Sequence, residues 1–423
     1  MKLLSRLRQI AMVGSVETFG VAVGGIAGLL IVNVLPKDQY AIYTFLVACM
    51  TLVLGVTDFG LAHCCMPIVG QRNREVHWVV GVCRQVFRKR WLLLGLGLVL
   101  VGPYWFYTAR QHGWGGGGFF LSSALILFVI LLTLREFFAS TLLVVLGHIS
   151  TLNRVALASH SIRLAMVATV LLVLPITAWS MAGVVAATAA ASVVTVTLYR
   201  RALKKHAVAS VELDPADVKH VDAEVLRIAK PLVLPAIFYQ TQGVITVFLV
   251  SLFGTSDMLA EIGAFGRLAM VLLVVDRVSA VLLFPAIARA PAGPRLRAIV
   301  APAHLGYVLI MGGVLLSAFL LPHYWIVLLG EQYRSMEPLV WMVFLTSILG
   351  NSAGFTFSTL TMRGATAGQG YGIPVTLVTQ VGYLWLIGVS DLRSVLGFGI
   401  ATALAGCLYQ YAVLAYRWKD LRG

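Results

Sequence analysis

Seven ionisable side chains lie inside long apolar stretches of the sequence, and their types suggest chemistry. They are Glu17, Asp58, Arg135, Glu136, Arg267, Asp276 and Arg277. Each costs at least about 2.5–3.5 kcal/mol to place in a bilayer on insertion scales, so each requires a partner or a wet cavity. We predict that the four carboxylates couple to ions. The arginines are candidate contacts for an anionic headgroup, because their paired donors suit phosphate oxygens.

Both sets are also compatible with a purely structural role. Arg135 with Glu136, and Asp276 with Arg277, are adjacent pairs that could form ion pairs with neighbouring helices. Arg267 favours a functional role more strongly, because mostly apolar sequence flanks it on both sides.

Two amides extend the list of candidate substrate contacts. Gln240 and Gln242 follow the prolines Pro231 and Pro235 within one apolar stretch. Proline frees backbone carbonyls in a membrane helix, so these amides either line a cavity or satisfy those carbonyls.

Composition shows which elements must position these residues. Hydrophobic residues make up 59% of the chain, charged residues only 12%, and the mean hydropathy is +0.90. A soluble chain of this length has about 25% charged residues, so this one must present apolar faces to lipid. The fold class expected is all-α: a polytopic membrane protein.

A bilayer core needs roughly 20 apolar residues per helix. By that measure we predict about twelve spans, forming two six-helix lobes around a central cavity. The predicted lobes are residues 1–199 and 229–423, joined by a cytoplasmic linker at 200–228. The predicted spans are 10–35, 40–69, 91–108, 119–146, 155–176, 178–198, 229–253, 258–288, 299–321, 336–361, 371–389 and 395–416.

The basic residues predict the orientation. Lys and Arg number 32 against 17 Asp and Glu, and most of them fall on one side of the spans, including a loop predicted to hold Arg84, Arg88, Lys89 and Arg90. The opposite loops hold only Lys37, Arg110, Arg334 and Arg393. The positive-inside rule then places both termini in the cytoplasm. It also explains the basic excess better than nucleic-acid binding does.

The two halves show a weak internal repeat. A shift of 218 residues lays Asp58 on Asp276 and Pro67 on Pro285, in the second and eighth spans. Parallel repeats of this kind predict two lobes related by an axis along the membrane normal.

The first hairpin resembles a known family. The runs Val34-Leu-Pro-Lys-Asp-Gln-Tyr40 and Val56-Thr-Asp58-Phe-Gly60-Leu resemble bacterial polysaccharide flippases of the multidrug/oligosaccharidyl-lipid/polysaccharide exporter superfamily. The resemblance implies transport of undecaprenyl-pyrophosphate-linked oligosaccharide across the bacterial inner membrane by alternating access, with Arg135 and Arg267 meeting the pyrophosphate. The implied partners are that substrate, membrane lipids and other proteins of polysaccharide assembly. Glu17, early in the first span, departs from an all-cationic cavity and leaves room for ion coupling.

Other functions remain open. An ion-coupled multidrug or metabolite exporter of the related MATE-like family would line its cavity with carboxylates and aromatics. A major-facilitator transporter, a membrane-embedded glycan polymerase or ligase, and a non-transporting scaffold are less favoured. The sequence has no phosphate-binding loop, H-E-x-x-H or G-x-S-x-G motif. We therefore predict a protein that is not an enzyme and that needs neither a cofactor nor a metal.

Overall fold

The structure is a computed structural model that describes most of the chain. It describes residues 2–61, 64–72, 75–205, 213–230, 233–273, 275–276, 283–284, 287, 293–362 and 368–417. For residues 2–17, 71, 295, 297 and 362 it describes the backbone alone.

The described residues are almost entirely helical. In chain order the α-helices are α1 Lys2–Val34, α2 Lys37–Asp58, α3 Cys65–Val69, α4 Val76–Gln111, α5 Gly117–Val145, α6 Ile149–Val173, α7 Ser180–Lys205, α8 Pro215–Ala229, α9 Val233–Gln242, α10 Ile245–Phe253, α11 Ser256–Ala269, α12 Pro294–Leu320, α13 Pro322–Val327, α14 Val340–Met362, α15 Gly372–Leu386 and α16 Leu392–Arg417. Short 3-10 turns cover Gly70–Arg72, Met270–Leu272, Glu331–Leu339 and Gln369–Tyr371.

The chain is a polytopic all-α membrane protein, as the composition predicts. Within the described residues, eight helices are long and apolar enough to cross a membrane, and a ninth span is formed if the bent pair α9 and α10 is counted as one. The other three predicted spans also fall on helix. The first predicted span lies on α1, where the apolar stretch with described side chains runs from Thr18 to Val34. The eighth begins on α11 and continues into partly described sequence, and the eleventh lies on α15.

Two predicted spans are interrupted rather than continuous. The second was expected to run over 40–69, but α2 ends at Asp58, and Phe59 and Gly60 have φ of 37° and 84°. A right-handed helix cannot pass through positive φ, so the chain turns here before α3. The seventh, expected over 229–253, bends by 58° between Gln242 and Ile245.

The predicted loop before the third span is wrong in part. Arg84, Arg88, Lys89 and Arg90 lie on α4, which begins at Val76 rather than near residue 91. Hydropathy could not show this, because charged residues lower the mean without breaking a helix. The consequence is that Arg90 lies within a packed helix bundle.

The predicted linker also contains ordered structure. α8 is an amphipathic helix whose Val221, Val225 and Ala229 are buried in a cluster with Trp78 and Val79 of α4. Hydrogen bonds from Lys89 and Gln85 of α4 hold the pKa of Asp222 below its usual range, even though partial burial of the carboxyl opposes this.

The chain forms two compact units. Unit A is Asp38–Leu252, and unit B combines Met1–Lys37 with Phe253–Gly423. Unit B therefore includes α1, which packs against α11, while α9 and nearly all of α10 belong to unit A. The division into lobes 1–199 and 229–423, with a central cavity, stays a prediction.

Candidate functional site

A buried arginine and a half-exposed aspartate form an ion pair in unit A. Nη2 of Arg90 lies 3.4 Å from Oδ1 of Asp58, and the Arg90 side chain is only 4% exposed against 34% for Asp58. The guanidinium also lies over the rings of Phe87 and Phe137, at 5.0 and 5.3 Å from their centroids. Its Nε is buried and has no hydrogen-bond partner among the described residues.

The break after α2 positions this aspartate. Asp58 is the last residue of α2, and Phe59 is the only non-glycine residue with positive φ in the described part of the chain. A bulky residue in that conformation is strained, and such strain persists only where surrounding packing holds it. The turn ends α2 at the level of Arg90 on α4.

The pair borders a cavity of about 370 Å³. Its lining combines this pair with hydroxyl, amide and apolar groups, namely Thr51, Leu54, Gly55, Asp58, Arg90, Phe137, Thr141 and Gln240. The volume lies within the range of small-molecule sites, roughly 300–1,000 Å³. The cavity therefore offers a carboxylate, a cation and neutral polar groups within one small space.

Gln240 closes one wall of this cavity. Its amide Nε2 donates to the carbonyl of Thr51, with 2.9 Å between the two atoms. The side chain crosses α2 at Gly55, where an added Cβ would collide with the Gln240 side chain. Gly55 is therefore required for close approach.

A second polar cluster in unit A surrounds Glu136. The Ser192 hydroxyl hydrogen-bonds to its carboxylate, and Arg163 contributes a positive charge nearby. Nη2 of Arg163 also lies 3.5 Å from Oγ of Ser192. One carboxylate oxygen of Glu136 is buried without a hydrogen-bond partner among the described residues.

In unit B, Arg267 lies against Gly28 of α1. A Cβ added at Gly28 would lie 2.9 Å from Cδ of Arg267, so the glycine gives the arginine its space. Nη1 of Arg267 lies 3.7 Å from the sulfur of Met270. The side chain is half-buried.

The second predicted repeat aspartate has a different partner. Tyr307 of α12 donates its hydroxyl to Oδ1 of Asp276 at 2.8 Å. The tyrosine is buried, and its ring stacks on Phe355 with 4.6 Å between centroids.

Comparisons of sequence find no relatives: no protein-family model matches the chain, and no curated protein does either. Comparisons of structure do find similar proteins. An inward-facing multidrug resistance MATE family transporter of the MOP superfamily matches with a TM-score of 0.70 at 14% identity, over 95% of this chain and 94% of that chain.

Two further structures of transporters also match the chain over nearly its whole length. The eukaryotic MATE transporter AtDTX14 matches with a TM-score of 0.60 at 12% identity, over 99% of this chain and 98% of that chain. A MOP superfamily transporter from Pyrococcus furiosus, for which a reverse polarity of the binding pocket suggests a different function, matches at 0.59 and 12%, over 99% and 97%. The chain has the fold of the MATE transporters.

Within this MATE fold the structure brings some predicted residues together and separates others. Asp58 and Gln240 line one cavity, whereas Glu136 belongs to the Ser192 cluster. Arg135 is exposed on α5, next in sequence to the half-buried Glu136.

Three predicted site residues remain to be placed. Gln242 is half-buried at the end of α9. Glu17 lies on α1 with its side chain outside the described set, and Arg277 lies outside the described residues altogether.

Arg90 lines the cavity beside Asp58, and the sequence did not single it out. Four basic residues in seven positions resemble a solvated loop, so the pattern predicts Arg90 among loop cations. The sequence feature that could have revealed it is its position: Lys89 and Arg90 immediately precede the apolar run that starts at Trp91. If the helix of that run begins before it, these two charged residues lie on the helix close to the bilayer rather than in a loop.

Proposed function

We propose that this chain is an ion-coupled secondary transporter of MATE type that exports small amphipathic molecules by alternating access. The observation that carries the proposal is the likeness to MATE transporters, which extends over almost the whole length of both chains. Shared length matters because alternating access moves one helical repeat against the other around the site, and the likeness extends over both.

Asp58 is the proposed coupling residue. A cation or proton that binds its carboxylate competes directly with Arg90, whose guanidinium pairs with Asp58 in the described structure. Losing that partner leaves a 96%-buried cation uncompensated, which is strongly unfavourable. Ion binding at Asp58 would therefore favour a different arrangement of α2 and α4, which gives the ion control over conformation.

Export from cells tests this proposal. Cells that express the full chain should retain less of a fluorescent amphipathic cation such as ethidium than cells with an empty vector. Asp58→Asn should abolish the difference even when retention is compared at equal amounts of the protein in the membrane. Asp38→Asn is the matched control, because Asp38 lies on the same helix and is exposed. Unchanged retention with the wild-type chain would reject export of this substrate class.

A lipid-linked sugar is the second candidate substrate, and the arginines favour it. Arg90 lines the cavity of unit A, and Arg267 sits half-buried within an apolar helix of unit B. Arginine binds diphosphate through paired donors, which lysine cannot imitate. In proteoliposomes, a short-chain polyprenyl-diphosphate sugar should then cross the bilayer faster with wild type than with Arg267→Ala, and Arg267→Lys should restore only part of the rate.

Orientation belongs to the same proposal. A reporter active only in the cytoplasm should work after Arg422 and fail after Gly115, if the basic segments face the cytoplasm of an inner membrane. Activity after Gly115 would reverse the proposed direction of transport.

A further inference from the structure

A second and larger cavity lies in unit A, apart from the Asp58 site. It is a groove of about 680 Å³, lined by α4 and α5 and by Val53 of α2. The surface is apolar and aromatic over most of its length, with Leu98, Trp105, Phe119 and Leu127 among the lining residues. Only one charged residue, Arg110, contributes to the lining.

The charged end of the groove is a fixed structure. α4 ends at Gln111, and Gly113 has φ of 69°, which lets the amide of Trp114 reach back to the carbonyl of Ala109 at 2.8 Å. This left-handed glycine cap folds the chain over the end of the helix. Trp114 is then held by stacking on His112 and by contact with Phe45, at 4.7 and 5.3 Å between centroids.

Arg110 supplies charge without a counterion in the described structure. Its side chain is exposed in the last turn of α4, and it forms no hydrogen bond or ion pair with the described residues. The groove beside it opens on faces whose Phe106 and Phe120 are 70% and 63% exposed. Apolar surface of this kind on spanning helices meets acyl chains rather than water.

We propose that the groove binds one acyl chain of an anionic phospholipid, whose phosphate contacts Arg110. The ligand must be a long apolar chain ending in a negative group, which matches the one cation at the end of an apolar channel. Lys37, Arg110, Arg334 and Arg393 are the few cations of the sparsely basic side, so this lipid comes from the leaflet opposite the basic segments. The proposal does not depend on what the chain transports.

Native mass spectrometry of the purified full chain tests the headgroup. Released from micelles containing equal phosphatidylglycerol and phosphatidylcholine, the wild-type chain should retain phosphatidylglycerol preferentially. Arg110→Ala should lower this preference about fivefold, as expected for one basic side chain near anionic lipid. Arg393→Ala is the control, because Arg393 is an exposed arginine on the same predicted side and outside the groove. An equal loss in both variants would overturn the Arg110 contact.

A substitution inside the groove tests the acyl chain. Gly102 lines the groove, and a Cβ added there meets nothing within 4 Å, so Gly102→Leu fills the space without disturbing its neighbours. Retention of both lipids should fall. Gly95→Leu is the matched control, because Gly95 is on the same helix, has the same free space and lies outside the groove. Equal retention in the two variants would overturn the proposal.

A photoreactive lipid keeps the proposal testable if Gly102→Leu fails to fold. Phosphatidylglycerol with a diazirine on its acyl chain should label the wild-type chain within 98–127 and compete with unlabelled lipid. Labelling spread over all exposed helices would show adventitious lipid only. Protection of the groove by dimerisation, detected as a doubled mass without bound lipid, would show that a second copy covers it and would also reject the proposal.

Discussion

The two aspartates that the sequence repeat aligns have partners of different chemistry. In unit A, Asp58 meets the buried cation Arg90, whereas in unit B, Asp276 accepts a hydrogen bond from the neutral hydroxyl of Tyr307. In both units the partner follows its aspartate by a similar number of residues: Arg90 lies on α4 and Tyr307 on α12. The two aspartates that the predicted repeat aligns therefore contact a cation in unit A and a tyrosine hydroxyl in unit B.

This difference indicates where a substitution should cost the most stability. Removing one member of a buried ion pair leaves the other uncompensated, whereas removing a neutral donor loses one hydrogen bond. In the proposed coupling, an ion that binds Asp58 competes with the Arg90 guanidinium, so it would change the packing of α2 and α4. This charged pair is the reason that we assign coupling to unit A.

The largest effect is expected from Asp58→Ala. It leaves the buried Arg90 without the carboxylate that pairs with it. We expect ~3 kcal/mol of lost stability, the lower end for a broken buried pair, because Asp58 is partly exposed. Denaturant unfolding in detergent micelles measures this. Asp38→Ala is the control on the same helix. Arg90→Met added to Asp58→Ala should recover most of the loss, and failure to do so would contradict the pairing.

Tyr307→Phe should have a smaller effect in unit B. It keeps the ring that stacks on Phe355 and removes only the hydroxyl that donates to Asp276. We expect ~1.5 kcal/mol of lost stability, since the acceptor is charged. Tyr104→Phe, which removes a contact with the neutral Ser251 hydroxyl, should cost less. A loss equal to that of Asp58→Ala would remove the contrast between the units.

Gly55→Ala tests whether Gln240 needs the space beside Gly55 to form the cavity wall. The new Cβ displaces the Gln240 side chain and breaks its hydrogen bond to Thr51. Alanine also improves helix propensity, so we expect a net loss of ~1 kcal/mol. Gly24→Ala, where the added Cβ meets nothing within 4 Å, should be neutral or stabilising in the same unfolding assay. Equal behaviour would show that Gln240 does not need Gly55.

The smallest effect is expected where α8 is tethered to α4. Asp222→Asn weakens its contacts with Lys89 and Gln85, and an exposed pair of this kind contributes ~0.5 kcal/mol. Because the folded pKa of Asp222 is lowered, its contribution is present above the unfolded value of 3.8 and is lost as pH falls through the folded value. A wild-type advantage that did not decrease as the pH fell below the unfolded value would contradict this.

The sequence predicted the helices better than their ends. Within the described residues, apolar length placed each predicted span at least partly on helix, because lipid demands it of any spanning segment. It did not predict the turn at Phe59, because apolar residues continue on both sides of Asp58. Arg90 was missed for the opposite reason, since charged residues concealed the continuation of α4. The partner of Asp276 could not be predicted either, because pairing between distant helices depends on packing.

Gradient-driven uptake into proteoliposomes tests the central claim most directly. The purified full chain, reconstituted alone, should accumulate ethidium when a proton or sodium gradient is imposed and should stop when the gradient is collapsed. Asp58→Asn, compared at an equal amount of reconstituted protein, should accumulate none. Absence of gradient-driven uptake by the wild-type chain, with polyprenyl-diphosphate sugar crossing in the same vesicles, would contradict the exporter and leave the flippase as its function.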